Sequence, residues 1–376
     1  MRVIHTPHAI GGSFIGLSKA EKSLGIDSRT VSFLPHPFGY EIDYLLAKSQ
    51  LGVEIKRYGL FRNIRNNADV VHFYFGQSLY PHVVPDDVGG MYSRIGRKLY
   101  NLYSRPLEWR DLELLKKERV GIVVTFLGDD ARLGTQSKQE HLMKEAGYYS
   151  EAGDEIKRNR IKKWDEYADH IFAITPDLLE FLPGRTEFLP SSAVNPASIQ
   201  YMPRSTSEGE TVRITHAPSH QGVKGSRFVL AALEKIMQTD KNVEFDLIEN
   251  ESHSRTMARC SGSDLLVDQL ILGWYGGLAV EAMSMGVPVV ANINEIYAQR
   301  IDKKMEKDLP IASATPETIE RTLLECIEAI RSDRNWRRRA SREFVETWHN
   351  PNKTAERTKK IYGDILQKVR IENQQQ

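Results

Sequence analysis

The sequence predicts an α/β protein made of two successive strand–helix arrays. Three observations lead there. Short apolar runs of strand length recur along the chain, each next to a polar or Gly-rich turn. Stretches with helical spacing lie between them, and one Pro-rich, aperiodic stretch near the middle divides the pattern in two. The runs lack strict polar–apolar alternation, which suits strands covered on both faces of a parallel sheet.

The first array opens with Val3-Ile4-His5, followed by the loop Ala9-Ile10-Gly11-Gly12-Ser13 and a helical stretch from Leu17 to Leu24 that stops at Gly25. Arg29–Phe33, Asp69–Tyr74, Gly121–Phe126 and His170–Ile174 are the next strands. Phe188–Arg204 carries Pro190, Pro196 and Pro203, and Ser205–Glu210 is polar without period; the linker between domains is expected there. The second array runs through Val212–His216 (strand), Ser226–Met237 (helix), and the strands Val243–Ile248, Leu265–Val267 and Pro288–Ala291. Two such arrays suggest two Rossmann-like domains facing each other across a cleft. The expected division is residues 1–200, 208–350 and a C-terminal segment 351–376.

Composition narrows the function classes. The 376 residues hold 51 Lys and Arg against 50 Asp and Glu, a net charge of +1, so a dedicated nucleic-acid binder is not expected. Two cysteines, Cys260 and Cys326, cannot form a disulfide framework or a four-thiolate zinc site. The N-terminus reads as no signal peptide, and no run approaches the roughly 20 apolar residues of a membrane span. A cytoplasmic protein, at most peripheral at the inner face of a membrane, is the expectation.

The most informative stretch is Gly273-Trp274-Tyr275-Gly276-Gly277-Leu278-Ala279-Val280-Glu281-Ala282-Met283-Ser284-Met285-Gly286-Val287-Pro288-Val289-Val290. Its glycines let backbone approach a ligand, a helix is expected from near Leu278 to Gly286, and an anion at that helix start would meet unbonded amides. Glu281, in the first turn, could accept two sugar hydroxyls, or serve as a dipole-matched surface acid. The run Glu281–Val290 resembles the signature of family 4 retaining glycosyltransferases of the GT-B fold, two glutamates separated by seven residues with the second inside E-A-M-x-x-G-x-P-V-V.

The resemblance implies that Glu281 binds the nucleotide ribose and that the Gly276, Gly277 and Leu278 amides, beside Tyr275, hold the donor diphosphate. Gly273 stands where the family's first glutamate belongs, so either another group contacts the donor sugar or the chemistry is impaired. His216–Gly225 follows a strand, and the resemblance places Lys224 on the leaving diphosphate, with His220 beside the donor; the second cation of many relatives has here only His216, His220 or Gln221 as candidates. Gly12, after the first strand, matches a point where backbone comes close to the donor phosphate or the acceptor. Thr125–Arg132 resembles the family's H-G-x-D-x-R segment with Leu127 in place of His; Asp130 and Arg132 would line the acceptor side, or pair with each other. Trp336–Trp348, Pro351 and Thr354–Val369 look like the GT-B ending, whose last helices return to the N-terminal domain.

The resemblance implies a transferase that moves a sugar from a nucleoside diphosphate, UDP- or GDP-linked, to a hydroxyl of a glycan or lipid-linked acceptor. No metal and no other cofactor is expected. Two rivals remain: a non-catalytic nucleotide-sugar-binding partner, which the absent first glutamate favours, and a nucleotide-sugar 2-epimerase, which Gly273 disfavours. A nicotinamide dehydrogenase is set aside because Gly11-Gly12-Ser13-Phe14-Ile15-Gly16 does not fit G-x-G-x-x-G. Tyr92–Arg110 interleaves Arg94, Arg97, Lys98, Arg105 and Arg110 with apolar and aromatic residues. Such a helix can lie on an anionic membrane; the reading preferred from sequence is a helix covering the sheet, its basic face in water.

Overall fold

A computed structural model describes residues 1–36, 39, 41–84, 94–134, 150–204 and 211–374. The chain divides into two compact units, one comprising Met1–Leu133, Ser150–Ala193 and Pro351–Gln376, the other centred on Val194–Asn350. Ser205–Glu210, the polar part of the expected linker, lies outside the described residues, as do Tyr92 and the end of the tail.

The first unit is built on a seven-stranded sheet, among the described residues, in the order β3-β2-β1-β4-β5-β6-β7. The strands are β1 Arg2–Thr6, β2 Asp27–Ser32, β3 Tyr44–Leu45, β4 Val70–Tyr74, β5 Gly121–Phe126, β6 His170–Ala173 and β7 Glu187–Phe188, and every pair is parallel. All residues of β4 and β5 are buried, which is why these strands read as unbroken apolar runs. The two-residue strands β3 and β7 carry too little pattern to be read from sequence. One face of the sheet packs on the helices Gln50–Asn67, Arg110–Lys117 and Glu151–Tyr167, around Phe73, Leu112, Phe126 and Trp164. On the other face Tyr362 and Ile365 of the helix Pro351–Gln374 meet Val3, Val70, Val123 and Phe172.

The helix Ser13–Ser23 lies on that second face as well, where Leu17 and Ala20 meet Ala355. Its entry needs Gly11 and Gly12, both with positive φ (61° and 68°), and its end is followed by Gly25 with φ 78°. Gly16 permits a close approach: a Cβ there would lie 1.8 Å from the Ser192 carbonyl oxygen.

Beneath these helices lies a fully buried polar cluster. Glu21 accepts from Thr358 (2.9 Å), Ser28 (2.7 Å) and His5 Nε2 (2.7 Å). His5 pairs with His72 in the β1–β4 register, and the His72 ring meets the Tyr362 hydroxyl (2.6 Å) and Thr125 (2.6 Å). Burial alone would raise the Glu21 carboxyl, but the charge and bonds of His5, Ser28 and Thr358 outweigh it and hold it below its usual value. Burial pushes His72 well below the ordinary imidazole range, so it is neutral.

The second unit carries a five-stranded parallel sheet, among the described residues, in the order β12-β11-β10-β8-β9. Its strands are β8 Val212–His216, β9 Val243–Leu247, β10 Leu265–Val267, β11 Val289–Ala291 and β12 Ala312–Ser313. Ser226–Thr239 and Ile319–Ser332 pack their apolar stripes (Val229, Leu233, Ile236; Leu323, Ile327, Ile330) into one core with Val212, Ile214, Leu265 and Val267. The stretch read as linker is tied down where it is described. Glu187–Phe188 is a strand of the first sheet, Met202 N–H donates to Met285 (2.9 Å), and the Tyr201 ring lies where a Cβ on Gly286 would come within 2.5 Å.

The polar cluster sets an acid limit on stability. The folded His72 lies below its reference 6.5 and the folded Glu21 below 4.5, so on acidification the unfolded chain takes up these protons first. Their contribution is complete above about pH 6.5 and is lost as pH falls, first through His72 and then, below about 4.5, through Glu21. His8 and His216, pushed down by burial, act in the same direction as His72. Chemical denaturation of the wild type beside Glu21→Ala should show the wild type's margin shrinking as pH falls below about 4.5; a margin that does not change with pH contradicts the assignment. Glu21→Ala should cost about 3–5 kcal/mol, because it leaves buried partners uncompensated.

Candidate functional site

The site of interest is assembled in the second unit at the C-terminal ends of its parallel strands, where turns and helix starts gather in such sheets. After β8 the chain makes one short helical turn, Gln221–Lys224, whose first amides are capped by His220: its Nδ1 accepts from Val223 N–H (3.3 Å). Gly225 then takes φ 77° and starts the helix Ser226–Thr239. This turn places Lys224 beside the end of β10. Its ammonium donates to Asp268 (2.8 Å) and Gln269 (2.7 Å), with 15% of the lysine side chain and 2% of the aspartate side chain exposed. Little solvent screens a pair so enclosed, and two of the three ammonium protons are used.

Asp268 also fixes the glycine loop. Its second oxygen accepts from Gly276 N–H (2.6 Å), and the Gln269 amide donates to the Trp274 carbonyl. A Cβ on Gly276 would lie 3.0 Å from the Lys224 nitrogen and 3.2 Å from Asp268, so a side chain there would press into the ion pair. The helix Gly277–Ser284 begins at the next residue and ends before Gly286, whose φ is 85°. Of the three amides expected to hold a diphosphate, Gly276 is therefore already engaged by Asp268. Gly277 and Leu278 stand in the first turn, where no preceding helical carbonyl can accept from them. Gly277 has open space beside it.

Glu281 lies one turn along this helix, with 19% of its side chain exposed, and accepts from His253 Nε2 (2.6 Å). His253 starts the helix His253–Ser261, capped by Ser252. The bond to Glu281 pushes the His253 imidazole up, burial opposes it, and the Glu281 charge adds to the rise.

Three other residues named from the sequence have these surroundings. Tyr275 is buried, its hydroxyl bonded to His349 (2.8 Å) and its ring beside Phe344, so it supports the loop from inside the unit. His216 does not face the ligand side as a cation would. It is buried, burial lowers its pKa, and its ring nitrogens meet the Val267 carbonyl (2.8 Å) and Ser226 (2.8 Å). Gly273 is buried with its face against the Tyr297 ring: a Cβ would stand 2.6 Å from the ring edge and 3.0 Å from Asn294. A carboxylate at this position requires Tyr297 to move.

Gly12, Asp130 and Arg132 belong to the first unit. Gly12 caps the start of Ser13–Ser23. Asp130 and Arg132 do not pair with each other. The buried Asp130 accepts from the amides of Leu127 (3.0 Å) and Gly128 (2.7 Å), and burial pushes it up to about 6 despite these bonds. Arg132 donates to Asp177 (2.8 Å) and Asp129 (3.0 Å). Sequence reasoning missed Asp268 and His253. The signal for Asp268 was present, a polar pair Asp268-Gln269 directly after a buried strand; nothing in the sequence linked His253 to Glu281. An open groove of about 1120 Å³ in the first unit, lined by Arg2, Asp27, Arg29, Asp43, Tyr44 and Asn63 among others, includes none of the expected site residues.

No family model matches the chain, and no curated protein sequence matches it. Solved structures do. HepE of Anabaena, in complex with UDP-glucose, is similar with a TM-score of 0.57 at 10% identity, over 96% of this chain and 99% of that one. Sucrose-phosphate synthase of Thermosynechococcus elongatus gives 0.56 at 14% identity, over 97% and 99%. The catalytic domain of starch synthase IV from Arabidopsis thaliana, bound to ADP and acarbose, gives 0.55 at 10%, over 98% and 99%. With the two parallel sheets, these likenesses show the GT-B fold.

Two measurements probe this geometry. In an NMR titration His253 should ionise above 6.5, and Glu281→Gln should bring it back down. Because the folded value is raised, the pair adds stability fully below pH 6.5 and loses it as pH rises through the folded value; a His253 unaffected by Glu281→Gln refutes the pairing. Gly273→Ala should lower the melting temperature, and the double variant with Tyr297→Ala should lose less than the sum of the two single losses, since the second change removes the atoms the new Cβ meets. Additive losses would show that Tyr297 is not the obstacle.

Proposed function

We propose that this protein is a nucleotide-sugar-dependent glycosyltransferase, and that the second unit binds the donor. The observation that carries the reading is the Lys224–Asp268–Gly276 arrangement. One carboxylate holds a lysine ammonium and the entrance of a helix together, so a cation with one remaining proton stands beside two first-turn amides. A donor diphosphate fits this combination of fixed charge and N–H groups. Glu281 receives the ribose hydroxyls after giving up His253, and His220 holds the turn that presents Lys224. The UDP-glucose of HepE and the ADP of starch synthase IV support a nucleoside diphosphate as the ligand class; for this chain a UDP- or GDP-linked sugar is the reading.

In the reaction the bond from the anomeric carbon to the diphosphate oxygen breaks. The acceptor oxygen bonds to that carbon, and the acceptor proton passes to the departing phosphate. Lys224 and the amides of Gly277 and Leu278 stabilise the charge that grows on the leaving group, with no metal called for. The resemblance to retaining enzymes supports retention of configuration. Asp130 and Arg132 serve the acceptor side, where the buried Asp130 fixes the backbone at Leu127 and Gly128. The acceptor is a hydroxyl of a glycan or a lipid-linked saccharide, in polysaccharide or glycoconjugate assembly, and the setting is the cytoplasm, which the two buried, free thiols fit.

One observation favours a second reading, donor binding without transfer: Tyr297 fills the space that a carboxylate in place of Gly273 would need. Calorimetry with UDP, GDP and ADP, followed by a transfer assay over their sugars with a mixed glycan acceptor, separates the two. Glu281→Ala should weaken the nucleotide by about 1.5–3 kcal/mol, roughly 10- to 150-fold. Lys224→Met should lower kcat at least about tenfold. It should also lower the melting temperature, because Asp268 is left buried without its cation. Binding without transfer by the wild type establishes the second reading; no binding of any nucleotide refutes both.

A further inference from the structure

The helix Arg94–Ser104 presents its apolar stripe to solvent. Ile95, Leu99 and Leu102, at i, i+4 and i+7, are 73%, 63% and 73% exposed. Its attachment to the unit is polar instead. The hydroxyls of Tyr100 and Tyr103 donate to Glu54 (3.2 and 3.3 Å), and Asn101 exchanges two 2.8 Å bonds with the backbone of Val84. This reverses the arrangement expected from sequence, in which the apolar face covers the sheet, and it is unlike an ordinary surface helix. The neighbouring helix Gln50–Asn67, which supplies Glu54, adds Leu51 and Ile55, each 71% exposed. Five large aliphatic side chains on two joined helices are therefore left uncovered among the described residues.

The charge along helix 94–104 and the turn after it is mainly positive. Residues 94–110 contain five basic residues and a single acid, Glu108, in a chain whose total charge is only +1. Glu108 is occupied by His82 (3.2 Å) and the Val83 amide (3.2 Å), and Glu54 by Arg57 (2.6 Å) and the two tyrosines. Lys98, Arg105 and Arg110 are exposed.

We propose that this face docks on an anionic lipid bilayer, with helix 94–104 lying in the plane of the interface. The aliphatic stripe enters the acyl boundary, and Lys98, Arg105 and Arg110 meet the headgroup phosphates. A second copy of the chain is a poorer occupant, because a two-fold contact would bring the same basic residues of both copies against each other. The docking is peripheral: among the described residues no helix is long and apolar enough to cross a membrane. The inference goes beyond sugar transfer and needs no nucleotide.

Co-sedimentation of the full chain with vesicles tests it. The protein should pellet with phosphatidylcholine vesicles that carry phosphatidylglycerol, far less with phosphatidylcholine alone, and less as salt is raised. The double variant Leu99→Gln, Leu102→Gln should weaken vesicle binding at least about tenfold and leave the melting temperature unchanged, since both positions are exposed. Lys98→Glu should weaken it on the anionic vesicles alone. Failure of the wild type to pellet with anionic vesicles overturns the proposal, and so does equal pelleting of the double variant. A wild-type dimer in sedimentation velocity that the double variant converts to monomer overturns it in favour of a self-association surface.

Discussion

The Glu21 carboxylate, with no exposed surface, must be met on all sides by donors, because an ion in so dry a place is tolerated only when fully bonded. Its partners come from β1 (His5), β2 (Ser28) and the helix Pro351–Gln374 (Thr358), while the residue itself sits on Ser13–Ser23. Four elements, drawn from both ends of the chain, therefore have to be present together. The His72–Tyr362 contact extends the same demand to β4. Apolar packing of Tyr362, Ile365 and Ala355 supplies area, but area alone would let a helix slide along the sheet; the buried carboxylate fixes its register.

The proposed donor site uses the same device with a different purpose. Asp268 is as deeply placed as a core residue, yet its partners are a lysine ammonium and the amide of a glycine loop. Because one side chain orients both, a ligand that takes up the free proton of Lys224 also encounters a loop whose backbone is already set. Preorganisation of this sort is what electrostatic stabilisation of a leaving group needs, since donors that have to be turned during the reaction spend part of their effect on reorganisation. The Glu281–His253 pair differs. It is more exposed, so the bond can be exchanged for a ligand hydroxyl at small cost.

The exposed helix 94–104 shows where pattern and packing part. Its spacing is that of an amphipathic helix, and spacing says only that one side is apolar. Which way that side turns is set by its polar partners: Glu54, on a neighbouring helix, takes two tyrosine hydroxyls, and the backbone of Val84 holds Asn101.

The sequence by itself determined the alternation of strands and helices, the parallel character of the sheets, and the turn glycines Gly12, Gly25 and Gly286. These depend on local periodicity and on backbone conformations that only glycine reaches easily, and both are written into neighbouring residues. The short strands β3, β7 and β12 escaped because two residues hold no period. Tertiary structure alone decided the rest. It engaged the Gly276 amide, turned Tyr275 inward to His349, separated Asp130 from Arg132, and set Tyr297 against Gly273. It joined Lys224 to Asp268, 44 positions away, and His253 to Glu281, 28 away. A hydrogen bond across such a separation follows from how strands are ordered in a sheet, and no window of sequence contains that order.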